Sequence, residues 1–269
     1  MSLAAYLHGL LHTARSRRAM RQALARVDAA GLDAALNDWS RSLSQPTAFY
    51  LDCFRAFHLV LPDSLRAHRK YFRAARRGFG EDAFHTMWWM LFRRFQVRNF
   101  CEIGVYRGQS LSLAGLLQGE LGLDGILTGI SPFESIGDSV SKYRTGLDYQ
   151  ADTLANFVHF QLPAPTLVRA FSNDPLAVDV LRRTTWDCIY IDGNHDYEVA
   201  RADWKNSAAS IKPAGIIVLD DSALGTHYEP PPFAGGGHPG PSQVAREVDP
   251  SQFREILAVG HNRVFQKLA

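Results

Sequence analysis

The segment NFCEIGVYRGQS, residues 99–110, joins a short apolar run to the start of a helical pattern. The apolar run Asn99–Ile103 has the length and composition of a buried β-strand. Glu102 lies near its end, and Gly104 and Gly108 follow, so the backbone can turn sharply before the helix begins. In an open parallel sheet such a strand exit is a ligand-binding position, because the free N–H groups of the helix face an anionic group there.

The residues between the two glycines indicate which ligand suits this turn. A dinucleotide site needs a glycine where the pyrophosphate passes close to the backbone, whereas this turn has Val105, Tyr106 and Arg107 there. A ligand with a carboxylate therefore fits better than one with a pyrophosphate. Taken alone the pattern is weak, because a tight strand-to-helix turn without any ligand contains the same residues.

Short apolar runs alternate with helical stretches from residue 98 onward. This alternation predicts an α/β fold with a mostly parallel sheet. We predict a strand in seven segments: Asn99–Ile103, Gly125–Ile130, Thr166–Phe171, Trp186–Ile191, Gly215–Leu219, Phe253–Val259 and Arg263–Gln266. Helices are expected after each of the first five strands. The short Gly-His-Asn turn before the last strand makes that strand antiparallel to its partner.

Residues 1–97 have a helical rhythm and are predicted to form an N-terminal extension to the sheet domain of residues 98–269. Its clearest helix has an apolar face with three- and four-residue spacing: Phe84, Met87, Trp88, Leu91, Phe92 and Phe95. We expect the extension to help build an acceptor site or a homodimer contact. The Gly- and Pro-rich segment Gly225–Ser242 is predicted to be a loop or lid without regular structure, and we interpret His227 and His238 within it as solvated.

Composition argues against several classes of protein. The chain has 29 Lys and Arg against 27 Asp and Glu, a net charge of +2, so it lacks the basic excess of a nucleic-acid binder. Cys53, Cys101 and Cys188 are isolated among apolar residues and are interpreted as reduced thiols. No secretory leader is expected, and no run reaches the ~18 apolar residues of a membrane-spanning helix. These features predict a cytoplasmic protein with no nucleic-acid or membrane partner.

Carboxylates end two of the predicted strands. Asp192 follows the fourth strand, and Asp220 and Asp221 follow the fifth. If these strands are neighbours, their axes lie about 4.8 Å apart and the three side chains converge. Such a cluster requires raised pKa values, a nearby Arg or Lys, or a divalent cation. An all-oxygen ligand set suits Mg²⁺ first, with Mn²⁺ or Ca²⁺ as alternatives.

The turn Glu102-x-Gly104-x-x-x-Gly108 resembles the first motif of the class I S-adenosylmethionine-dependent methyltransferases, and the resemblance covers roughly residues 81–267. It implies a Rossmann-like fold whose cofactor binds at this turn through its methionine part. The implied cofactor-binding residues are Glu102, Gly104, Tyr106, Arg107 and Gly108 at the turn, Ser131 or Glu134 at the ribose, Ser172 and Asn173 at the adenine, and Asp192. The family usually has an acidic residue at the ribose position, where this chain has Ser131. Ser172 and Asn173 are about equally suited to capping the next helix.

The segment from Asp192 to His195, followed after one more strand by Asp220 and Asp221, is similar to metal-dependent O-methyltransferases of sugars and antibiotic precursors. That resemblance implies Mg²⁺ at the three aspartates and His195 as the base that takes the acceptor's proton. The leading hypothesis is therefore a Mg²⁺-dependent O-methyltransferase acting on a hydroxyl of a sugar or glycosylated small molecule. The alternatives are a metal-independent N- or C-methyltransferase, whose carboxylates hold a protonated amine, and a non-catalytic S-adenosylmethionine-binding module.

Overall fold

The computed structural model describes residues 3–25, 29–74, 77–138, 140–141 and 143–269. The strands of the described sheet are β1 (Asn99–Ile103), β2 (Ile126–Ser131), β3 (Thr166–Arg169), β4 (Trp186–Ile191), β5 (Ile211–Leu219), β6 (Phe253–Val259) and β7 (Asn262–Lys267). Their spatial order is β3-β2-β1-β4-β5-β7-β6. β1 to β5 are parallel, and β7 is antiparallel to both β5 and β6. The predicted fold class is confirmed.

The helices of the described residues fall into two groups. Those before the sheet are α1 (Leu3–Leu24), α2 (Ala29–Asn37), α3 (Ser40–Ser44), α4 (Pro46–Leu59), α5 (Asp63–Ala74) and α6 (Asp82–Phe95). Those that follow β1 to β5 in turn are α7 (Gln109–Leu121), α8 (Tyr149–His159), α9 (Pro175–Arg183), α10 (Tyr197–Ser210) and α11 (Pro239–Arg246). Each parallel strand is therefore followed by a helix, as the sequence predicts.

The strand boundaries agree closely with prediction. β1, β4 and β6 have the predicted bounds, β2 and β7 differ by one residue at each end, and β3 ends two residues early. β5 begins at Ile211 and not at Gly215. The chain passes through Ala214 with a positive φ of 60°, and nearby the register with β4 is irregular. The residues just before the predicted start at Gly215 are thus a bulge within a longer strand.

The prediction of irregular structure for Gly225–Ser242 is wrong in its last four residues, because α11 begins at Pro239. Proline is compatible with the first turn of a helix, because the N–H groups of that turn have no acceptor within the helix and the missing N–H costs no hydrogen bond. Gly240 has a packing role, since a Cβ at this position would lie 2.1 Å from the carbonyl oxygen of His195. The helix start is thereby held against the chain after β4.

Helices cover both faces of the sheet. On one face, the Trp88 ring of α6 packs edge-on against Phe100 of β1 and Tyr190 of β4, with centroids 5.5 and 5.0 Å away. On the other face, Trp204 of α10 packs against Phe253, with centroids 5.2 Å apart. Strands covered on both sides are expected to be apolar throughout, and all six residues of β4 are buried.

Among the described residues, no helix combines the length and the apolar character needed to cross a membrane.

Candidate active site

A cavity of about 820 Å³ opens at the carboxyl ends of β1, β4 and β5. Its position follows from the strand order, because the chain winds outward in opposite directions from β1 and β4 and leaves a crevice between them. Two further segments line its wall. They are residues 77–80, which precede α6, and the glycine strap, defined here as Gly235–Gly237.

The glycine turn between β1 and α7 is held tightly against its neighbours. Gly104 has φ +99°, and a Cβ there would lie 2.0 Å from the carbonyl oxygen of Asp192. Gly108 has φ +73° at the N-cap of α7, and its Cβ would lie 2.6 Å from Thr153 Cγ2. Both positions therefore need glycine, for backbone conformation and for space. The first turn of α7 consequently lies beside the cavity.

Glu102 is buried beneath this turn. Its side chain is 3% exposed, and its Oε2 has no hydrogen-bond partner among the described residues. Burial is the main reason that the pKa of Glu102 is raised to about 8, and the nearby charge of Asp220 adds to the effect. A buried carboxyl oxygen without a partner can accept a hydrogen bond from a cationic group of a ligand.

Tyr106 and Arg107 occupy the middle of the turn and line the cavity. The Tyr106 ring lies 5.1 Å from that of Phe79. The Arg107 guanidinium forms two bonds to Asp152, at 2.5 and 3.0 Å, while its Nη1 has no partner among the described residues. Arg107 therefore anchors the turn to α8 and keeps one donor group free.

The two candidates for the ribose contact differ in their surroundings. Ser131 donates to the carbonyl oxygen of Val105 at 3.0 Å and accepts from the amide of Phe133 at 3.4 Å, so its hydroxyl already has protein partners. Phe133 has a positive φ of 53°, which makes a turn that brings Glu134 to the cavity wall. The Glu134 carboxylate is largely exposed and 3.9 Å from Arg169. The Glu134 carboxylate thus has fewer close protein partners than the Ser131 hydroxyl and is the more accessible to a ligand.

Ser172 and Asn173 line the same cavity beyond the end of β3. Asp174 is the N-cap residue of α9 and makes no side-chain capping bond to that helix. Its carboxylate accepts instead from the amide of Phe171 at 2.9 Å. The structure therefore places Ser172 and Asn173 in a turn at the cavity wall, where their side chains can meet a ligand.

The carboxylate cluster, Asp192, Asp220 and Asp221, lies at adjacent strand ends. The amide of Asp220 donates to the carbonyl oxygen of Ile191 at 3.0 Å, which continues the pairing of β4 with β5. Burial raises the pKa of Asp192 well above its usual range, and the charge of Asp220 raises it further. Burial likewise raises the pKa of Asp220, against the opposing charge of His261.

Asp221 differs from the other two because a histidine contacts it. His195 Nε2 lies 2.8 Å from Asp221 Oδ2, and His195 Nδ1 lies 2.6 Å from Asp138 Oδ2. Although burial opposes its charged form, these two carboxylates raise the pKa of His195 to about 9. The same contact lowers the pKa of Asp221, against the effect of burial. When the ring is protonated, both of its nitrogens can donate to these carboxylates.

Residues 101–222 match a protein-family model described as a methyltransferase domain. This segment is similar to that domain. It contains the glycine turn, the carboxylate cluster and His195. The architecture is that of the class I methyltransferases, as the sequence resemblance implied.

Several solved structures share this fold. The SAH-bound methyltransferase PaMTH1 from Podospora anserina is 16% identical with a TM-score of 0.55, and the match covers 78% of this chain and 89% of that chain. The cofactor-bound Rv0187 from MTB is 15% identical with a TM-score of 0.54, and the match covers 81% of this chain and 95% of that chain. The O-methyltransferase from Bacillus cereus in complex with SAH is 14% identical with a TM-score of 0.50, and the match covers 80% of this chain and 95% of that chain. A search of curated proteins finds no significant match.

Sequence reasoning missed Asp138, which lies within the segment 101–222. Besides contacting the His195 ring, Asp138 Oδ2 accepts from the His195 amide at 2.7 Å, and Oδ1 accepts from the amide of Ser141 at 2.7 Å. These bonds lower its pKa against burial. The only sequence signal was an aspartate in the segment between β2 and α8, which has no recognisable motif.

Two histidines beyond the segment 101–222 also reach the site. His238 is half-buried, and its ring lies 4.3 Å from that of His195, so it packs against the site and is only partly solvated. His227, by contrast, is exposed as expected. His261 lies in the β6–β7 turn, 3.4 Å from both Asp220 and Asp221. It was missed because antiparallel pairing of β7 with β5, and not sequence proximity, brings it there.

Donor groups in this region could hold a metal ion. The described residues include two groups whose ligand atoms all lie within 4.8 Å of one another, Asp220 with Asp221 and His261, and Asp221 with His195 and His238. Asp192 belongs to neither group. Asp220 Oδ1 and His261 Nδ1 have no hydrogen-bond partner among the described residues. The donor set therefore fits a divalent cation centred on Asp220 and Asp221.

Proposed function

We propose that this chain is an S-adenosylmethionine-dependent O-methyltransferase that uses a divalent cation and acts on a hydroxyl of a sugar or glycosylated small molecule. The observation that carries the proposal is that the glycine turn and the carboxylate cluster open into one cavity. A cofactor at the turn and an acceptor at the cluster would then be adjacent, which in-line transfer of a methyl group requires.

The residues at the turn suit an amino-acid ligand. The buried carboxyl of Glu102 has an unpartnered oxygen, and an ammonium group would supply the missing donor. The first turn of α7 offers N–H groups to a carboxylate. S-adenosylmethionine has both groups on its methionine part and would supply the transferable methyl. Tyr106, Arg107, Glu134, Ser172 and Asn173 line the remaining wall along which the nucleoside would extend.

The carboxylate cluster suits a divalent cation for electrostatic reasons. Burial is the main reason that the pKa values of Asp192 and Asp220 are raised, and the negative charges of neighbouring carboxylates add to the effect. A bound cation, Mg²⁺ in the leading hypothesis, would balance them and lower the pKa of an acceptor hydroxyl. Asp220 and Asp221 would hold it, with Asp192 beside them.

His195 is the candidate group for moving the acceptor's proton. Asp138 fixes the orientation of the ring by binding Nδ1 and the backbone amide. Nε2 donates to Asp221 in this arrangement, so it accepts a proton only when that bond is released and the ring is neutral. Asp138 then favours the tautomer whose lone pair is on Nε2, the nitrogen nearer to the carboxylate cluster.

The preference for a sugar or glycoside acceptor rests on the resemblance of the Asp192–His195 and Asp220–Asp221 segments to metal-dependent sugar O-methyltransferases. The cavity volume is within the range of about 300–1,000 Å³ typical of small-molecule sites. An amine acceptor is the second candidate, because Asp220 Oδ1 is unpartnered and would accept a hydrogen bond from an ammonium group. Cation dependence distinguishes the two.

Calorimetry of the purified chain with S-adenosylmethionine tests the cofactor assignment. Gly104→Val should abolish binding, because its Cβ would overlap the carbonyl oxygen of Asp192 and displace the turn. Gly119→Val is the matched control, since a Cβ there has no neighbour within 4 Å. Equal affinities in the two variants would argue against cofactor binding at this turn.

Methyl transfer to a panel of glycosides, followed by mass spectrometry with and without chelator, tests the reaction. We expect transfer to stop in chelator and to return with added cation, while affinity for S-adenosylmethionine changes little, because the turn lies on a different strand. Full activity in chelator would reject the cation and favour the amine acceptor. Cofactor binding without transfer to hydroxyl or amine acceptors would indicate a non-catalytic module.

A further inference from the structure

His261 faces the carboxylate cluster, and the proposed function assigns it no role. Its Nε2 lies 3.4 Å from Asp220 Oδ1, and its Nδ1 lies 3.4 Å from Asp221 Oδ1. Neither Asp220 Oδ1 nor His261 Nδ1 has a hydrogen-bond partner among the described residues. Each ring nitrogen thus faces a different carboxylate, at a distance longer than a usual N–H···O bond.

The separation of these atoms suits ligands of a shared ion better than a hydrogen bond. N–H···O bonds cluster near about 2.9–3.0 Å. Two ligands about 2.1 Å from one ion lie about 3.0 Å apart at a right angle and about 3.4 Å apart at a tetrahedral angle. The observed 3.4 Å between Asp220 Oδ1 and His261 Nε2 falls in this second range.

The fold fixes His261 in this position. Leu219 pairs with Arg263, so the β6–β7 turn lies beside the end of β5. The amide of Ser222 donates to the carbonyl oxygen of His261 at 2.8 Å, and the imidazole packs on Phe84 with centroids 4.8 Å apart. A Cβ at Gly235 would lie 2.9 Å from His261 Nδ1. The glycine strap therefore passes close to the ring without a side chain that would cover it.

We propose that His261 is a direct nitrogen ligand of the cation held by Asp220 and Asp221, and that the site consequently prefers ions such as Co²⁺ or Zn²⁺ to Mg²⁺. Imidazole is a good ligand for these borderline ions, whereas Mg²⁺ binds oxygen almost exclusively. The inference rests on the cation dependence proposed above. It changes the expected ion from Mg²⁺ to Co²⁺ or Zn²⁺.

Two binding measurements on the full chain, without substrate, test this ligation. Calorimetry should show Co²⁺ binding more than about tenfold tighter than Mg²⁺. Mn²⁺ serves as a paramagnetic probe, and pulsed electron paramagnetic resonance of its complex should show the nuclear coupling of a directly bound imidazole ¹⁴N. His261→Asn should lose that coupling and at least about tenfold in Co²⁺ affinity, with a smaller change for Mg²⁺. His227→Asn, at an exposed position in a different loop, should bind like the unaltered chain.

The outcomes separate this inference from the proposed function. Mn²⁺ binding without ¹⁴N coupling, or coupling that persists in His261→Asn, would overturn ligation by His261 and leave the carboxylate site intact. Failure of all the ions to bind would overturn both the ligation and the cation dependence. The resonance measurement on the unaltered chain decides the point even if His261→Asn does not fold, which circular dichroism would reveal.

Discussion

At the scale of single residues, the contact between Asp138 and His195 leads to the first prediction. His195→Ala should lower kcat by about 10²–10⁴-fold, the usual contribution of a general base. Asp138→Asn should lower kcat less, because it removes the group that orients the ring but leaves the ring in place. The double variant should be no slower than His195→Ala, since Asp138 acts through His195. Turnover at saturating cofactor measures these effects.

Asp196→Asn is the control for this series, because Asp196 is adjacent in sequence but exposed and makes no side-chain cap bond. Its kcat should equal that of the unaltered chain. Losses from Asp138→Asn and His195→Ala that multiply in the double variant would show that Asp138 acts independently of the imidazole.

Glu102 leads to a prediction about pH and stability. Its pKa is raised in the folded chain from an ordinary value of 4.5 to about 8. The folded state therefore binds more protons than the unfolded state between these values, so this group lowers the free energy of unfolding as pH rises. The slope is at most about 1.4 kcal/mol per pH unit. Glu102→Gln should remove that slope and leave stability nearly unchanged at pH 4.

Chemical denaturation from pH 4 to pH 8.5, without cofactor, measures the difference between Glu102→Gln and the unaltered chain. Other groups of the site titrate in this range, and subtraction cancels their contribution. Glu198→Gln, at an exposed position, should follow the unaltered chain throughout. A difference that stays constant with pH would mean that Glu102 titrates near its ordinary value.

At the scale of secondary-structure elements, the glycine strap allows a matched pair of substitutions. Gly237 has φ +95°, and a Cβ there would lie 2.6 Å from the carbonyl oxygen of Asp221. At Gly236 the nearest atom to a Cβ is 3.6 Å away, which is ordinary contact. Gly237→Ala should therefore destabilise the chain by about 1–2 kcal/mol or displace the strap, and it should slow methyl transfer. Gly236→Ala should do neither.

Denaturation and turnover of the two alanine variants check this prediction. The strap is anchored on either side, because the amide of Gly235 donates to Glu81 at 2.6 Å and the amide of His238 donates to Asp221 at 2.8 Å. Hydrogen exchange should accordingly show these two amides protected without acceptor. Equal effects of the two substitutions would mean that the strap adapts freely and does not shape the acceptor site.

The elements also show how far the sequence determines the site. β4 was predictable to the residue, because its apolar run ends abruptly at Asp192. Asp220 and Asp221 were predictable for the same reason, at the end of β5. His261 was not, because its position depends on the antiparallel pairing of β7, and Asp138 was not, because no motif marks it. Local pattern therefore predicts strand ends, whereas contacts distant in sequence require the assembled sheet.

At the scale of the whole molecule, the helices before residue 98 share a core with the sheet. Trp88 of α6 is 4% exposed and packs against strands β1 and β4. Trp88→Ala should destabilise the chain by about 3–5 kcal/mol, as expected for loss of a large buried ring. Trp89→Ala is the control, because Trp89 is partly exposed beside Arg93 and should lose much less. Similar losses would mean that α6 is only loosely packed on the sheet.

The last prediction concerns residues 98–269 alone, which the sequence suggested as a separate domain. Without α4 and α6, this fragment would expose the sheet face that carries Phe100, Tyr190 and Val218, all of them buried in the full chain. Exposing apolar surface costs about 25 cal/mol per Å². The free energy of unfolding of a domain is only about 5–15 kcal/mol, so exposing several large apolar side chains removes most of it. The fragment should therefore be largely unfolded or aggregated, and the full chain should unfold in one cooperative calorimetric transition. A soluble fragment with native-like circular dichroism, together with two resolved transitions in the full chain, would instead establish the extension as an independent domain.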